Sequence, residues 1–299
     1  MEQSRKDYKL GVTLVLAVQL IWGFLPIYWQ SLKPIDSSII ILYRIMTMFI
    51  FSLIGARLRY SFKEIFEPLK NKKNMVRSFI AGLILATNWS IYIWAVNSER
   101  VIQAAIGYYI EPLVICLFGI IIFKEKLTKY NGTAMGLALA AVLLILFHYK
   151  QLPGVALGLA ITWAIYSVVK KTSEQPAIIA LVHETMPFAF MALIAIIYLE
   201  NRGLGAVSMN MPGKYFLMLL SGLVTVIPVS MFGMAATRVS LFLLGLAQYI
   251  SPTISLMCGI FLFHEEIDVV QIAAFIIIWI GLVFFTYGEL KSHRKKDKP

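Results

Sequence analysis

The sequence predicts an all-α integral membrane protein of ten transmembrane helices, arranged as two inverted five-helix repeats. Three observations predict it: ten apolar runs of membrane-crossing length, a one-sided distribution of basic residues, and an internal match between the two halves. Of 299 residues, 59% are hydrophobic and 14% charged, where a soluble domain carries about a quarter charged residues. A run of roughly 17–25 apolar residues crosses a ~30 Å hydrocarbon core as a helix. Backbone groups in lipid must be bonded internally, so such runs are helices or strands of a closed barrel. Their continuous apolarity excludes barrel strands, which alternate at period two.

The expected spans, in order, are Leu10–Gln30, Asp36–Ala56, Ser78–Ser98, Val101–Phe123, Tyr130–His148, Pro153–Val169, Ala177–Leu199, Tyr215–Ala236, Leu241–Phe263 and Val269–Gly288. The first is too long for a signal-peptide core, contains Trp22 and Pro26, and lacks a small-x-small cleavage site.

With the N-terminus in the cytoplasm, 21 of the 27 Lys and Arg residues fall on cytoplasmic segments. Five fall outside (Lys33, Arg100, Lys150, Arg202 and Lys214), and Arg44 lies within a span. This positive-inside bias predicts a multi-pass membrane protein with both termini cytoplasmic. The net charge of +11 therefore reflects topology, and the tail KSHRKKDKP attraction to anionic lipid. It does not point to nucleic acid. Cys116 and Cys258 lie within spans and read as packing residues. Metal-ligand spacing, a phosphate loop and a nucleotide fingerprint are all missing, so no metal or cofactor is expected.

Shifting the chain by 140 residues lays GYYIEPL (107–113) over AQYISPT (247–253). Tyr109 meets Tyr249, Pro112 meets Pro252, Gly119 meets Gly259 and Glu125 meets Glu265. GVTLVLA (11–17) likewise resembles GVALGLA (154–160). The repeats are read as residues 1–149 and 150–290, followed by a basic tail, 291–299. An odd number of spans per unit inserts the second copy from the opposite side. Inverted repeats of this kind characterise transporters whose sites lie near the midplane.

The intramembrane polar residues are the candidate site. Pro112 and Pro252 each deprive a carbonyl, of Tyr108 and Gln248, of its helical N–H, and mark two expected helix breaks. Glu111 sits at the centre of an apolar run, where a charge costs ~2.5–3.5 kcal/mol on insertion scales. It is expected to face inward, paired or protonated. Arg44 is its counter-charge in sequence terms, or a holder of a substrate carboxylate. Asn88, Trp89 and Tyr92 share the third span, and Tyr108 lies on the Glu111 face. Gln248, Tyr249 and Ser251 surround the second proline. Glu184 is a candidate for coupling or gating, as is Glu111. Glu125 and Glu265, at opposite membrane faces, are candidates for gate or helix-end roles.

NWSIYIWAVN, GYYIEPLV, FKEKL, TVIPVSMFGMAATRVS and GLAQYISPT resemble the RarD group, the chloramphenicol-sensitive proteins of the EamA branch of the drug/metabolite transporters. The resemblance covers nearly the whole chain. It implies ten spans, two EamA repeats and alternating access in the inner membrane of bacteria. Arg44, Asn88, Trp89, Glu184, Gln248 and Tyr249 fall on positions matching the family pattern. Glu111 departs from it, because relatives usually carry Asn before this proline.

The function expected is secondary active transport of a small polar organic solute, an amino acid or related metabolite, with drug efflux as a variant. Proton coupling through Glu111 is a further expectation. A passive facilitator or channel, and an intramembrane sensor or scaffold, are the alternatives. An enzyme is not expected, since Glu111 and His183 fall at different depths. The partners are the solute and the lipid bilayer, and the chain is compatible with a monomer or a homodimer.

Overall fold

A computed structural model describes residues 2–97, 101–150, 154–264 and 268–296. Among these residues every regular element is helical. The helices are α1 (Glu2–Ser31), α2 (Ser37–Arg57), the short α3 (Phe62–Phe66) followed by a 3-10 turn, α4 (Lys72–Asn97), α5 (Val101–Phe123) and α6 (Lys129–Tyr149). The second half contains α7 (Gly154–Lys171), α8 (Ala177–Asn201), α9 (Pro212–Ala236), α10 (Leu241–Ala247), α11 (Ile250–Phe263) and α12 (Val269–Lys296). Among the described residues nine stretches are long and apolar enough to cross a membrane, with α10 and α11 counted together as one. α4, of 26 residues, is a tenth long helix outside that count. The expected span ends Ser98 and Pro153 lie outside the described residues, as does Glu265.

Polar residues at the run ends fix where the helices start. Asp36 accepts from the Ser38 N–H, Thr128 from Asn131 and Ser240 from Leu243, each supplying a donor's missing partner in a first turn. α3 begins with a reciprocal capping box between Ser61 and Glu64. The Ser61 backbone and hydroxyl hold the exposed Glu64 carboxyl below its usual range. Several helices exceed the apolar runs. α1 and α12 extend into their basic flanks, and α7 continues through Lys170 and Lys171.

The packing follows a regular scheme. α1 lies on α9 and α11, while α7 lies on α4 and α5. α2 packs on α9, and α8 on α4. Three further pairs, α2 with α8, α5 with α10 and α6 with α12, join the halves directly. Small residues permit the closest crossings. A Cβ on Gly222 of α9 would stand 2.3 Å from the Thr47 carbonyl carbon and 2.4 Å from the Met48 nitrogen of α2. The largest buried cluster runs through α1, α5, α7, α9 and α10, so the core lies where the halves meet.

Candidate functional site

The site grows from one cation. Arg44 projects from mid-α2 between two indoles, its guanidinium carbon 4.2 Å from the Trp89 ring centroid and 5.2 Å from that of Trp29. Stacking on aromatic faces stabilises a guanidinium while leaving its N–H edge free. Its Nε is buried without a hydrogen-bond partner among the described residues. Tyr92 and Tyr108 lie within its electrostatic reach, their ring centroids 6.3 Å apart. Both tyrosines are exposed, Tyr108 at 43%.

Glu111 follows Tyr108 by less than one turn and interacts electrostatically with Tyr108 and Tyr249. It has no hydrogen-bond or ion-pair partner among the described residues. The structure therefore does not pair Glu111 with Arg44, although the sequence made them each other's obvious counter-charge. Tyr108 lies within electrostatic reach of both Arg44 and Glu111.

The two prolines behave differently. α5 runs through Pro112 without interruption, so the break expected there is absent. The second break is present: Gln248 and Tyr249 form a turn between α10 and α11, with N–H bonds to Gly245 and Leu246. The Ser251 hydroxyl donates to the Gln248 carbonyl at 3.3 Å, taking the place of the N–H that Pro252 lacks. Across the interface, the Tyr249 hydroxyl donates to the Tyr109 carbonyl at 2.9 Å, tying this turn to α5.

Other expected residues have partners of their own. The Asn88 amide nitrogen donates to the Leu159 carbonyl at 3.0 Å and to the Thr162 hydroxyl at 2.9 Å, joining α4 to α7. Gln248 accepts from the Trp163 indole N–H at 3.0 Å, and its own Nε2 is buried and unpartnered. Tyr249 is buried and ties the halves together without reaching the Arg44 cage. Cys116 and Cys258 are free and buried, as packing residues would be.

Glu184 is closed off. Its carboxylate receives the Lys170 ammonium at 2.8 Å and the Tyr166 hydroxyl at 2.9 Å. Both charged side chains are buried, at 2% and 3% exposure. Lys170 reads in the sequence as a cytoplasmic end charge, and the extension of α7 carries it inward instead. The α4–α8 crossing beside this pair is tight, since a Cβ on Gly82 would lie 2.1 Å from the Glu184 carbonyl oxygen. His183 bonds the Ile65 carbonyl at 2.7 Å through Nε2.

Glu125 caps a helix from the opposite half. Its two carboxylate oxygens accept the Leu241 and Phe242 N–H groups, at 2.7 and 2.8 Å, at the start of α10. A carboxylate there meets both the free donors and the positive end of the helix dipole. Lys171 bonds the Val239 carbonyl in the adjacent turn. Arg77 bonds the Val169 carbonyl and the Thr172 hydroxyl nearby. Glu125, Arg77, Lys170 and Lys171 all belong to segments expected on the cytoplasmic side. Trp29 and Lys170 are functional candidates that sequence reasoning missed.

The apolar helices and inward-facing charges define a polytopic membrane protein, and comparison with known proteins gives its class. The profile of the EamA-like transporter family matches residues 9–147 and again 154–287. The "Uncharacterized transporter YojE" of Bacillus subtilis is 34% identical over 294 residues, covering 96% of this chain and 97% of that protein. The "Protein RarD" of Streptomyces exfoliatus is 32% identical over 294 residues, covering 98% and 93%. One solved crystal structure superposes with a TM-score of 0.72 at 17% identity, covering 92% of this chain and 96% of that one, a likeness of fold. The chain belongs to the EamA-like transporter family and, within it, to the RarD group.

Proposed function

We propose that this protein is a secondary active transporter that moves a small polar organic solute by alternating access, with Arg44 at the centre of its binding site. The solute class is an amino acid or related metabolite, with drug-like efflux substrates as a variant. The observation that carries this reading is an arginine near mid-span, stacked between two tryptophans and lacking an anionic partner among the described residues. A buried charge without a partner is expensive. A substrate carboxylate would supply a bidentate partner on the free edge. Glu111 would take a substrate amine or a coupling proton.

Residues 1–149 and 150–290 act as two inverted repeats of five spans each, with the tail 291–299 and both termini cytoplasmic. The packing scheme supports this. Exchanging the five long helices of one half for those of the other converts α1 on α9 into α7 on α4, and α2 on α9 into α8 on α4. The family profile also matches twice, once in each half.

The contacts at the expected cytoplasmic end support an outward-facing state. The Glu125 cap, the Lys170–Glu184–Tyr166 cluster, and the Lys171 and Arg77 bonds close that end. Tyr92 and Tyr108, which the expected topology puts nearer the other end, remain exposed. Inward opening then requires these contacts to release together. Glu184 and Glu125 are gating residues in this scheme.

The test is uptake into proteoliposomes of labelled L-amino acids and chloramphenicol, with the pH gradient present and then collapsed. Uptake that depends on the gradient supports coupled transport. Gradient-independent, non-concentrative flux would instead make the protein a facilitator. Absence of flux for every compound, from protein shown to be folded, would count against the solute class.

A further inference from the structure

Gln19 of α1 is fully buried, with 0% exposure, and both its amide nitrogen and oxygen lack a partner among the described residues. Folded proteins rarely leave both ends of a buried amide unbonded, because each unmade bond is penalised in full. Its position follows from two close crossings. Gly11 of α1 meets Arg238 and Val239, where a Cβ would stand 2.7 Å from each. Gly23 meets Ile254, and its carbonyl accepts from the Ser255 hydroxyl at 3.1 Å. The α10–α11 segment therefore runs alongside α1 in the same direction. Gln19 lies two thirds of the way from Gly11 to Gly23, level with the turn at Gln248 and Tyr249.

The facing direction follows too. Trp22 is three residues on and shares the Gln19 face of the helix. Its ring centroid lies 5.5 Å from that of Trp163, whose indole N–H donates to Gln248 Oε1 at 3.0 Å. Gln248 Nε2 is itself buried and unpartnered. Two carboxamides from opposite halves thus meet one helix turn at the same depth, with three polar atoms unbonded.

We infer that Gln19 and Gln248 form an inner subsite of the transport pathway that binds a neutral hydrogen-bonding group of the solute, a hydroxyl or a primary amide. An amide pair donates and accepts but carries no charge, so it complements the charged Arg44 site. The inference rests on the transport reading above.

The test uses full-length protein in oriented membrane vesicles, with a small cationic methanethiosulfonate added from either side. The variants are Gln19→Cys, Tyr108→Cys and the lipid-facing control Leu20→Cys. Wild type, with its buried cysteines, is the blank. Gln19→Cys is expected to react at least tenfold faster than Leu20→Cys, and Tyr108→Cys to react from both sides. Reaction at 108 with none at 19 would overturn the subsite and leave the transport reading standing. No reaction at 108 from either side would overturn the pathway, and the subsite with it.

Stability gives a second readout. Gln19→Leu is expected to raise the melting temperature by about 2–4 °C, as removal of an unsatisfied buried amide would. A fall of that size would show that the amide is paired within the fold, and would overturn the subsite.

Discussion

Lys170→Met would leave the Glu184 carboxylate buried beside a methyl group, with only the Tyr166 hydroxyl bonded to it. The two charges are 2.8 Å apart, and both are almost completely buried. Removing one member of such a pair typically costs about 3–5 kcal/mol, mostly because the survivor is stranded. At roughly 2–4 °C per kcal/mol, the melting temperature in detergent should fall by on the order of 10 °C. The double variant Lys170→Met, Glu184→Gln removes both charges and should recover most of that loss, since neutral replacement of a whole buried pair is often close to neutral. The assay is thermal unfolding of wild type, both single variants and the double, analysed as a cycle. A single Lys170→Met variant that melts within about 1 °C of wild type, in the precision such assays reach, would refute the argument. So would a double variant no better than the sum of the singles. The same pair bears on mechanism, because the proposed inward-facing state must take it apart.

Three further outcomes are expected. Gly222→Ala forces a Cβ into the Thr47–Met48 backbone and should destabilise by about 1–3 kcal/mol, read as a lower melting temperature; an unchanged melting temperature would contradict the α2–α9 crossing. Glu125→Gln keeps one acceptor but loses the charge at the start of α10, a cap effect of about 0.5–2 kcal/mol. It should shift thiol labelling of Tyr108→Cys toward the cytoplasmic side, and an unshifted ratio would remove Glu125 from the gate. In the Ser61–Glu64 box, the Glu64 carboxyl has a lowered folded pKa. The cap is therefore fully present above the unfolded value of about 4.3 and is lost as pH falls through the lower folded value. Hydrogen exchange of α3 should accelerate in that acidic window, and protection unchanged throughout it would argue against the box.

Much of this was legible because lipid punishes polar groups so strongly. Apolar runs gave the long helices, and an arginine within one of them had to be placed for a reason. Arg44, Trp89, Tyr92 and Tyr108 come together as a pattern of polar and aromatic residues within spans suggested. Pro252 could be read as a break because its orphaned carbonyl follows from chemistry alone, and the structure supplies the Ser251 hydroxyl.

What could not be read depended on contacts between distant segments. Lys170 looked like a flanking cation because the length of α7 is set by its partners on α8. Asn88 gave no sign that α7 would occupy its amide. Pro112 offered the same signal as Pro252, yet α5 runs on as one helix where a turn separates α10 from α11. Gln19 is one polar residue in an apolar run, and its unbonded amide exists only in three dimensions. Trp29 sits at a helix end where tryptophan is common at membrane interfaces, which hid its place over Arg44.

The central claim is that Arg44 holds the solute, and ligand-dependent stability tests it most directly. Purified protein would be melted against L-amino acids, their derivatives and chloramphenicol, as wild type, Arg44→Gln and Glu111→Gln. A ligand bound only to the folded state stabilises by RT ln(1 + [L]/Kd), about 2.7 kcal/mol at a hundredfold excess over Kd. The account predicts a compound that stabilises wild type and loses its effect in a folded Arg44→Gln variant. A compound that stabilises both equally would place the binding site away from Arg44 and contradict it.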